Sequence, residues 1–249
     1  MHADRRRAES FGSAARDYDR FRSGYPDALV DDLLAADPSS TLDVGCGTGT
    51  VAAALAARGY RVLGVDPDPR MAALARARGV SVEIASFEAW DSRGRLFDLI
   101  TCGHAWQWVD PDLGTAKVAS LLRPGGTAAL FWNYHVLPNP VLVEVRRAYQ
   151  LHAPELSVIG EDPSTLADVD PFAGVATMTP GQSRTYRWVR RFGPEDWAGM
   201  VGTFSDHRRL GPERLDALQR ALRDVVERHD GWVEARGGTY VWRSRRRPC

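Results

Sequence analysis

The stretch Thr41-Leu42-Asp43-Val44-Gly45-Cys46-Gly47-Thr48-Gly49-Thr50 decides the reading of this chain. A short apolar run, a cluster of glycines and then the Ala-rich segment Thr50 to Arg58 reads as strand, tight turn and helix. Working outward, Tyr60 to Asp66 predicts a second strand and Arg70 to Arg78 a second helix, both helices closed by glycine. Val80 to Ile84 predicts a third strand and Phe97 to Gly103 a fourth. Leu113 to Leu122 predicts a helix halted at Arg123-Pro124-Gly125-Gly126, and Thr127 to Trp132 a fifth strand. Strands alternating with helices in this way predict a mostly parallel sheet with helices on both faces, a doubly wound α/β fold.

The flanks are less regular. Residues 11 to 37 predict one or two helices, with Pro26-Asp27 opening an amphipathic run from Ala28 to Leu34. Val141 to Gln150 predicts a helix, followed by a Pro/Asp-rich irregular stretch that reaches Pro180. Arg184 to Phe192 alternates like a strand, Pro194 to Val201 and Pro212 to Arg228 read as helices, and Thr239 to Arg243 as a last short strand. There is no repeat, low-complexity tract or long linker, so one compact domain is expected, with the C-terminal strands extending the same sheet.

The 249 residues carry 32 basic and 32 acidic side chains, for a formal net charge of zero. A hydrophobic fraction of 44% with 26% charged residues excludes disorder for the bulk of the chain. Charge balance argues against a globally basic nucleic-acid or membrane-surface binder. Lys117 is the one lysine, so the many arginines reflect composition more than chemistry. Cys46, Cys102 and Cys249 are too few and too scattered for a disulfide framework or a thiolate zinc site. No histidine stands at metal-ligand spacing from another histidine or a cysteine, and no metal is expected. The N-terminus lacks the apolar stretch of a signal peptide, and no window approaches the roughly 18 apolar residues needed to span a bilayer. A cytoplasmic protein is the expectation. The terminal R-S-R-R-R-P-C reads as a solvated tail.

The glycine cluster sits where ligands bind in open α/β sheets, beyond the carboxyl end of a strand. A dinucleotide site asks for G-x-G-x-x-G. Here Gly45 and Gly47 fit, but the third position is Thr50. Asp43, inside the strand, would repel a pyrophosphate and suits a cationic ligand. Asp66 ends the second strand, where a carboxylate can accept from both hydroxyls of an adenosine ribose. These residues point to adenosine with a positively charged partner and away from a nicotinamide oxidoreductase.

The runs T-L-D-V-G-C-G-T-G-T, V-D-P-D-P-R-M, F-D-L-I-T-C-G-H-A-W-Q-W-V-D and L-L-R-P-G-G-T together resemble the class I S-adenosylmethionine-dependent methyltransferases. More narrowly they resemble the small-molecule branch that includes trans-aconitate methyltransferase-like proteins. Phe11 to Pro26 is similar to the N-terminal segment of that branch, and Trp197 to Leu210 to its C-terminal region. The resemblance implies a Rossmann-like sheet with an antiparallel C-terminal strand, and three parts in one domain. These are a helical lid (1–37), a cofactor-binding core (38–135) and a part completing the sheet and substrate pocket (136–249).

It also implies S-adenosylmethionine as cofactor, with S-adenosylhomocysteine as product, and places residues around it. Asp43, Gly45, Cys46, Gly47 and Gly49 match the loop around the methionine moiety, and Asp66 the ribose acid. Pro67 and Met71 fall where apolar side chains meet the adenine, although Met71 fits a core position equally. Ser86, Phe87 and Glu88 fall at the adenine edge. His104 follows the fourth strand beside the transferred methyl. Gln107 stands where the branch usually carries histidine, which leaves open a cofactor-holding protein that does not methylate. The implied reaction is methyl transfer to an oxygen, carboxylate or hydroxyl, of a small molecule. A carboxylate acceptor needs no base; a hydroxyl does, and His104 is the candidate. Arg16, Tyr18, Arg22 and Tyr25 are lid candidates, and Trp106 and His135 are pocket candidates that also fit simple packing. No nucleic acid or membrane partner is expected, and the protein is expected to act as monomer or homodimer.

Overall fold

Short apolar strands that bury both faces drive the centre of the fold. β1 (Thr41–Val44) is buried at all four positions and lies between β2 (Val62–Asp66) and β4 (Phe97–Gly103), parallel to both. The structure, a computed structural model, describes residues 14–163 and 170–248. The lid positions before residue 14, residues 164–169 of the irregular stretch, and Cys249 lie outside the described residues.

Seven strands form one sheet in the order β3-β2-β1-β4-β5-β7-β6. β3 is Ser81–Ile84, β5 Leu122–Val136, β6 Gln182–Phe192 and β7 Val233–Arg245. β7 runs antiparallel to both β5 and β6, and the β1–β2, β1–β4, β2–β3 and β4–β5 pairs are parallel. The doubly wound expectation holds, with the antiparallel strand inserted next to the edge. The change of direction between β3-β2-β1 and β4-β5 puts a crevice at the carboxyl ends of β1 and β4, where such sheets bind ligands.

Among the described residues eight α-helices cover the sheet: α1 (Ala15–Phe21), α2 (Asp27–Leu34), α3 (Thr50–Ala56), α4 (Pro69–Ala77), α5 (Pro111–Leu121), α6 (Asn139–His152), α7 (Pro194–Gly202) and α8 (Pro212–Arg228). Their starts follow from capping. Asp68 accepts from the Arg70 N–H ahead of α4, Asp110 accepts from the Asp112 and Leu113 N–H groups ahead of α5, and proline opens both helices. One apolar cluster unites the central strands with α5, and a second packs α6, α7 and α8 together.

Three expectations are corrected. β5 starts at Leu122, because Leu122 pairs with Phe97 before Arg123-Pro124-Gly125-Gly126 bulges out and the ladder resumes at Leu99 and Thr127. β7 is far longer than Thr239 to Arg243, because it pairs with β5 on one side and the whole of β6 on the other. The terminal arginines are not a free tail. The Arg246 N–H donates to the Gly126 carbonyl at 2.9 Å, and the Arg247 N–H to that of Thr177 at 2.8 Å.

Candidate active site

The loop after β1 is shaped by contacts that exclude side chains. Gly45 takes φ +62°, and a Cβ there would stand 2.4 Å from the Ala105 Cβ. Gly49 takes φ +83°, and its Cβ would stand 2.9 Å from that of Ala75. The loop therefore lies tight against the chain leaving β4 on one side and against α4 on the other. The N–H groups of Gly45 and Cys46 donate to the Val65 carbonyl at 2.8 and 3.2 Å, which ties the loop to β2.

Asp66, at the end of β2, is oriented by two backbone donors. Oδ2 accepts from the Gly47 N–H at 2.8 Å and Oδ1 from the Asp68 N–H at 2.9 Å. Burial pushes its carboxyl up to about 6 in spite of those bonds. Asp43 is 1% exposed; its Oδ1 accepts from the Thr101 hydroxyl at 2.8 Å, and its buried Oδ2 has no hydrogen-bond partner among the described residues. Burial, with the Asp66 charge adding to it, pushes this carboxyl up to about 7. An unpartnered buried carboxylate oxygen carries a desolvation cost that a cationic ligand offsets.

Asp66 borders a cavity of about 260 Å³, with Pro67 and Met71 on one side and Ser86, Phe87 and Glu88 on another. Met71 and Phe87 are each 4% exposed, which makes the wall apolar. A small recess of about 30 Å³ lies where Asp43, Cys46 and Gly47 meet Tyr25, His104 and His135. Tyr18, Arg22, Gly45 and His104 line both spaces, so the two are contiguous.

The arm that carries α1 supplies the recess with positive charge. Arg22 Nε donates to the Thr203 hydroxyl at 2.7 Å, and its guanidinium stacks 3.7 Å from the Phe204 ring centre and 5.3 Å from that of Tyr18. Among the described residues no carboxylate forms an ion pair with Arg22. Burial lowers its pKa from the ordinary arginine value. Tyr25 packs edge-on against Phe131 with ring centres 4.8 Å apart.

His104 takes φ +55°, a conformation rare for a residue with a side chain. Its N–H donates to the Phe131 carbonyl at 2.9 Å, and its Nε2 accepts from the Asn133 N–H at 2.7 Å. The imidazole thus serves as the next acceptor rung of the β4–β5 ladder after β4 has ended. Asn133 also holds the arm: its Nδ2 donates to the carbonyls of Ser23 and Gly24 at 3.3 and 3.2 Å. Its Oδ1 accepts from the Thr239 hydroxyl at 2.7 Å, and Thr239 in turn accepts from Trp188 Nε1 at 3.2 Å. His135 is ringed by Trp188, Phe192 and Trp197, its Nε2 unpartnered and buried. Burial pushes both His104 and His135 down to about 3, with the Arg22 charge helping, so both imidazoles are neutral.

Most of the residues singled out from sequence converge here; three do not. Gly49 caps α3 and packs on Ala75, so it shapes the loop without lining the cavity. Trp106 opens a single 3₁₀ turn, Trp106–Trp108, and points inward against Phe172 while Gln107 and Trp108 face the cavity. Three residues per turn separate neighbours by about 120°, which is why one tryptophan is core and the other is not. Arg16 is exposed on α1. Gln107 braces the turn: its Nε2 donates to the His104 carbonyl at 2.8 Å, and its Oε1 accepts from Trp132 Nε1 at 3.0 Å. The sequence reading missed Val109, Asn133, Phe204, Ser205 and Asp206. The last three arrive from the far C-terminal part, where no spacing relates them to the glycine loop.

Behind Asp206 lies a buried chain of polar groups. Its Oδ1 bonds His207 Nδ1 at 2.8 Å, and His207 Nε2 bonds the Tyr149 hydroxyl at 2.8 Å. Among the described residues no group of three or more His, Cys, Asp or Glu side chains is placed to hold a metal. None of the described helices is long and apolar enough to cross a membrane.

A sheet switching direction at β1, a glycine loop under a half-satisfied carboxylate and an acid ending β2 converge on the crevice where an α/β sheet takes its ligand. The chain belongs to the class I S-adenosylmethionine-dependent methyltransferases. A family profile described as a methyltransferase domain matches residues 41–126. The chain is 36% identical to the trans-aconitate 2-methyltransferase of Methylobacterium radiotolerans over 74% of its own length and 78% of that protein's. It is 39% identical to an uncharacterized methyltransferase of Mycobacterium tuberculosis, over 50% of this chain; the match spans about half, 52%, of that relative's length. A solved structure from Anaeromyxobacter dehalogenans, described as a type II methyltransferase, shares the fold. Its TM-score is 0.67 at 24% identity, with 92% of this chain and all of that one covered.

S-adenosylmethionine is the cofactor of this class, and the residues present fit it. Asp43 Oδ2 lacks a donor that an ammonium can supply, Asp66 lines the cavity with a carboxylate able to accept from hydroxyls, and the Met71–Phe87 wall suits a flat apolar ring.

Proposed function

We propose that the protein moves a methyl group from S-adenosylmethionine to a carboxylate oxygen of a small organic acid. The observation that carries this reading is Arg22: a guanidinium stacked on Phe204 beside the glycine loop, in no ion pair among the described residues, with Asp206 near enough to act on it by charge but not in contact. An unpaired, partly buried cation of this kind calls for an anionic ligand, and arginine suits a carboxylate through paired N–H donors. The relative named as a trans-aconitate 2-methyltransferase supports an acid as acceptor.

In this reading Asp43, Cys46 and Gly47 hold the methionine end of the cofactor, Asp66 the ribose, and Pro67, Met71, Ser86, Phe87 and Glu88 the adenine. When bound, the cofactor supplies a methyl group on a positively charged sulfur. Tyr18, Arg22 and Tyr25, carried by the arm that Asn133 holds down, cover the recess, hold the acid and exclude water. Displacement at a methyl carbon depends on alignment, so a closed, positioned arm is where the protein contributes most to rate. A formal net charge of zero suits a small acid better than a polyanionic acceptor, and the proposed setting is the cytoplasm.

Titration with S-adenosylhomocysteine, followed by mass screening of products against carboxylic acids, phenols and amines, tests the proposal. Addition of one methyl to acids, and to acids in preference to phenols and amines, is the expected result. No binding of S-adenosylhomocysteine refutes the methyltransferase reading. Methylation confined to amines or phenols refutes the acid.

A further inference from the structure

His104 faces the cavity, but its bonding fixes what it can do there. A neutral imidazole has one N–H and one lone pair. Nε2 lies 2.7 Å from the Asn133 N–H, so that lone pair is already used as an acceptor. The proton then resides on Nδ1, which finds no partner in the chain among the described residues. Adding a proton to Nε2 sets two N–H groups against each other and breaks the last rung between β4 and β5.

We propose that His104 is a fixed hydrogen-bond donor through Nδ1–H, its tautomer set by Asn133, and that the site therefore accepts only oxygens that are already anionic. The proposal rests on the methyl-transfer reading and assigns how that site selects its acceptor. One acceptor oxygen forms the new carbon–oxygen bond as the carbon–sulfur bond breaks. The negative charge of the acid and the positive charge of the sulfur cancel to leave an ester and a thioether, and no proton is transferred. The second oxygen of the same carboxylate takes the Nδ1–H of His104 and the free N–H groups of Arg22. Asn133 is a positioning residue: it acts through His104 and through the arm carbonyls of Ser23 and Gly24.

The groups that face His104 are Arg22 and Tyr25 on the arm, Asp43 on β1 and His135 on β5, with Asp206 across the cavity. Arg22 opposes any protonation of the imidazole, and burial opposes it further.

The test is ¹H–¹⁵N correlation of the histidine rings in the full chain, free and with S-adenosylhomocysteine, between pH 5.5 and 8.5. The His104 signals are identified by their loss in His104→Asn. A protonated Nδ1 and an acceptor-type Nε2, unchanged across that range, are expected. An Nε2–H tautomer, or a His104 titration inside the range, overturns the proposal. Amide exchange at Asn133 gives a second readout. It should speed up by roughly tenfold or more in His104→Ala and stay protected in His104→Gln, whose Oε1 reaches the same N–H. Equal protection in all three proteins removes the bond and the proposal with it. Turnover of a neutral alcohol or amine that disappears in His104→Asn also overturns it. Failure to bind S-adenosylhomocysteine strikes the methyl-transfer reading instead, and leaves the ring measurement on the free protein to decide the tautomer.

Discussion

The hydroxyl of Thr101 on β4 donates to Oδ1 of Asp43 on β1 at 2.8 Å, while among the described residues no donor lies within hydrogen-bond distance of Oδ2, the Ala52 N–H acting on the carboxylate only more weakly. This half-satisfied carboxylate, held between two central strands, ties folding to ligand binding. In the unfolded chain Asp43 titrates near the ordinary 3.8; in the fold burial moves it up to about 7. Between those values the folded state keeps a proton that the unfolded state has released. Stability therefore falls as pH rises through that window, and the penalty is absent below it.

Asp43→Asn should accordingly raise the thermal midpoint by several degrees at pH 8 and change it little near pH 4. The same variant should weaken S-adenosylhomocysteine binding by about 1.5–3 kcal/mol, the worth of a charged hydrogen bond. Calorimetric titration together with melts at both pH values checks the opposite signs. Asp66, also raised by burial, adds a pH dependence present in both proteins, altered only by the part of its interaction with Asp43 that the substitution removes.

Gly45 and Gly47 both have positive φ, yet their surroundings differ. An added Cβ at Gly45 meets Ala105 at 2.4 Å, whereas at Gly47 it meets nothing within 4 Å. Gly47→Ala should cost about 1 kcal/mol from backbone conformation alone. Gly45→Ala should cost about 2 kcal/mol more, because the chain after β4 has to move. Urea unfolding of the two variants gives the difference directly.

Arg22→Lys keeps the charge but loses the planar group stacked on Phe204 and the Nε bond to Thr203. With an acid that the product screen shows to be methylated as the probe, KM should rise roughly tenfold while S-adenosylhomocysteine affinity changes less than about threefold. The reverse pattern would assign Arg22 to the carboxylate of the methionine moiety.

His207 is fully buried between Asp206 and Tyr149. His207→Leu leaves both partners short of a hydrogen bond and should cost about 2–3 kcal/mol in a denaturant melt. Tyr149→Phe should also destabilise, because its hydroxyl accepts from the Ile159 N–H at 3.3 Å as well, and a double-mutant cycle with His207→Leu isolates the worth of the His207–Tyr149 bond.

Much of the central fold was legible because its signals are local. Asp68-Pro69 and Asp110-Pro111 announce helix starts, and glycines close the turns between apolar runs. The ends of β5 and β7 were not legible. Leu122 reads as the last residue of a helix until its pairing with Phe97 is known, and the length of β7 depends on two neighbours distant in sequence. Around the site, Asp43, Gly47 and Asp66 could be named because a ligand loop and a strand-end acid stand at a fixed spacing. Trp106 and Trp108 could not be told apart, since a single 3₁₀ turn decides which one faces inward.

By itself, then, the sequence determined the strand-loop-helix core and, through the motifs by which it resembles a family, the class of the protein. Those features live in contiguous stretches whose periodicity and turn chemistry do not need the rest of the chain. Only the tertiary structure decided what His104 is. As a lone histidine after a strand it is a candidate base. Packed beside Asn133, 29 residues away, it has its Nε2 lone pair taken up by the Asn133 N–H. The tertiary structure likewise brought Phe204 and Asp206 to face Arg22, because pairing with β7 and packing of α7 fold the C-terminal part back over the crevice.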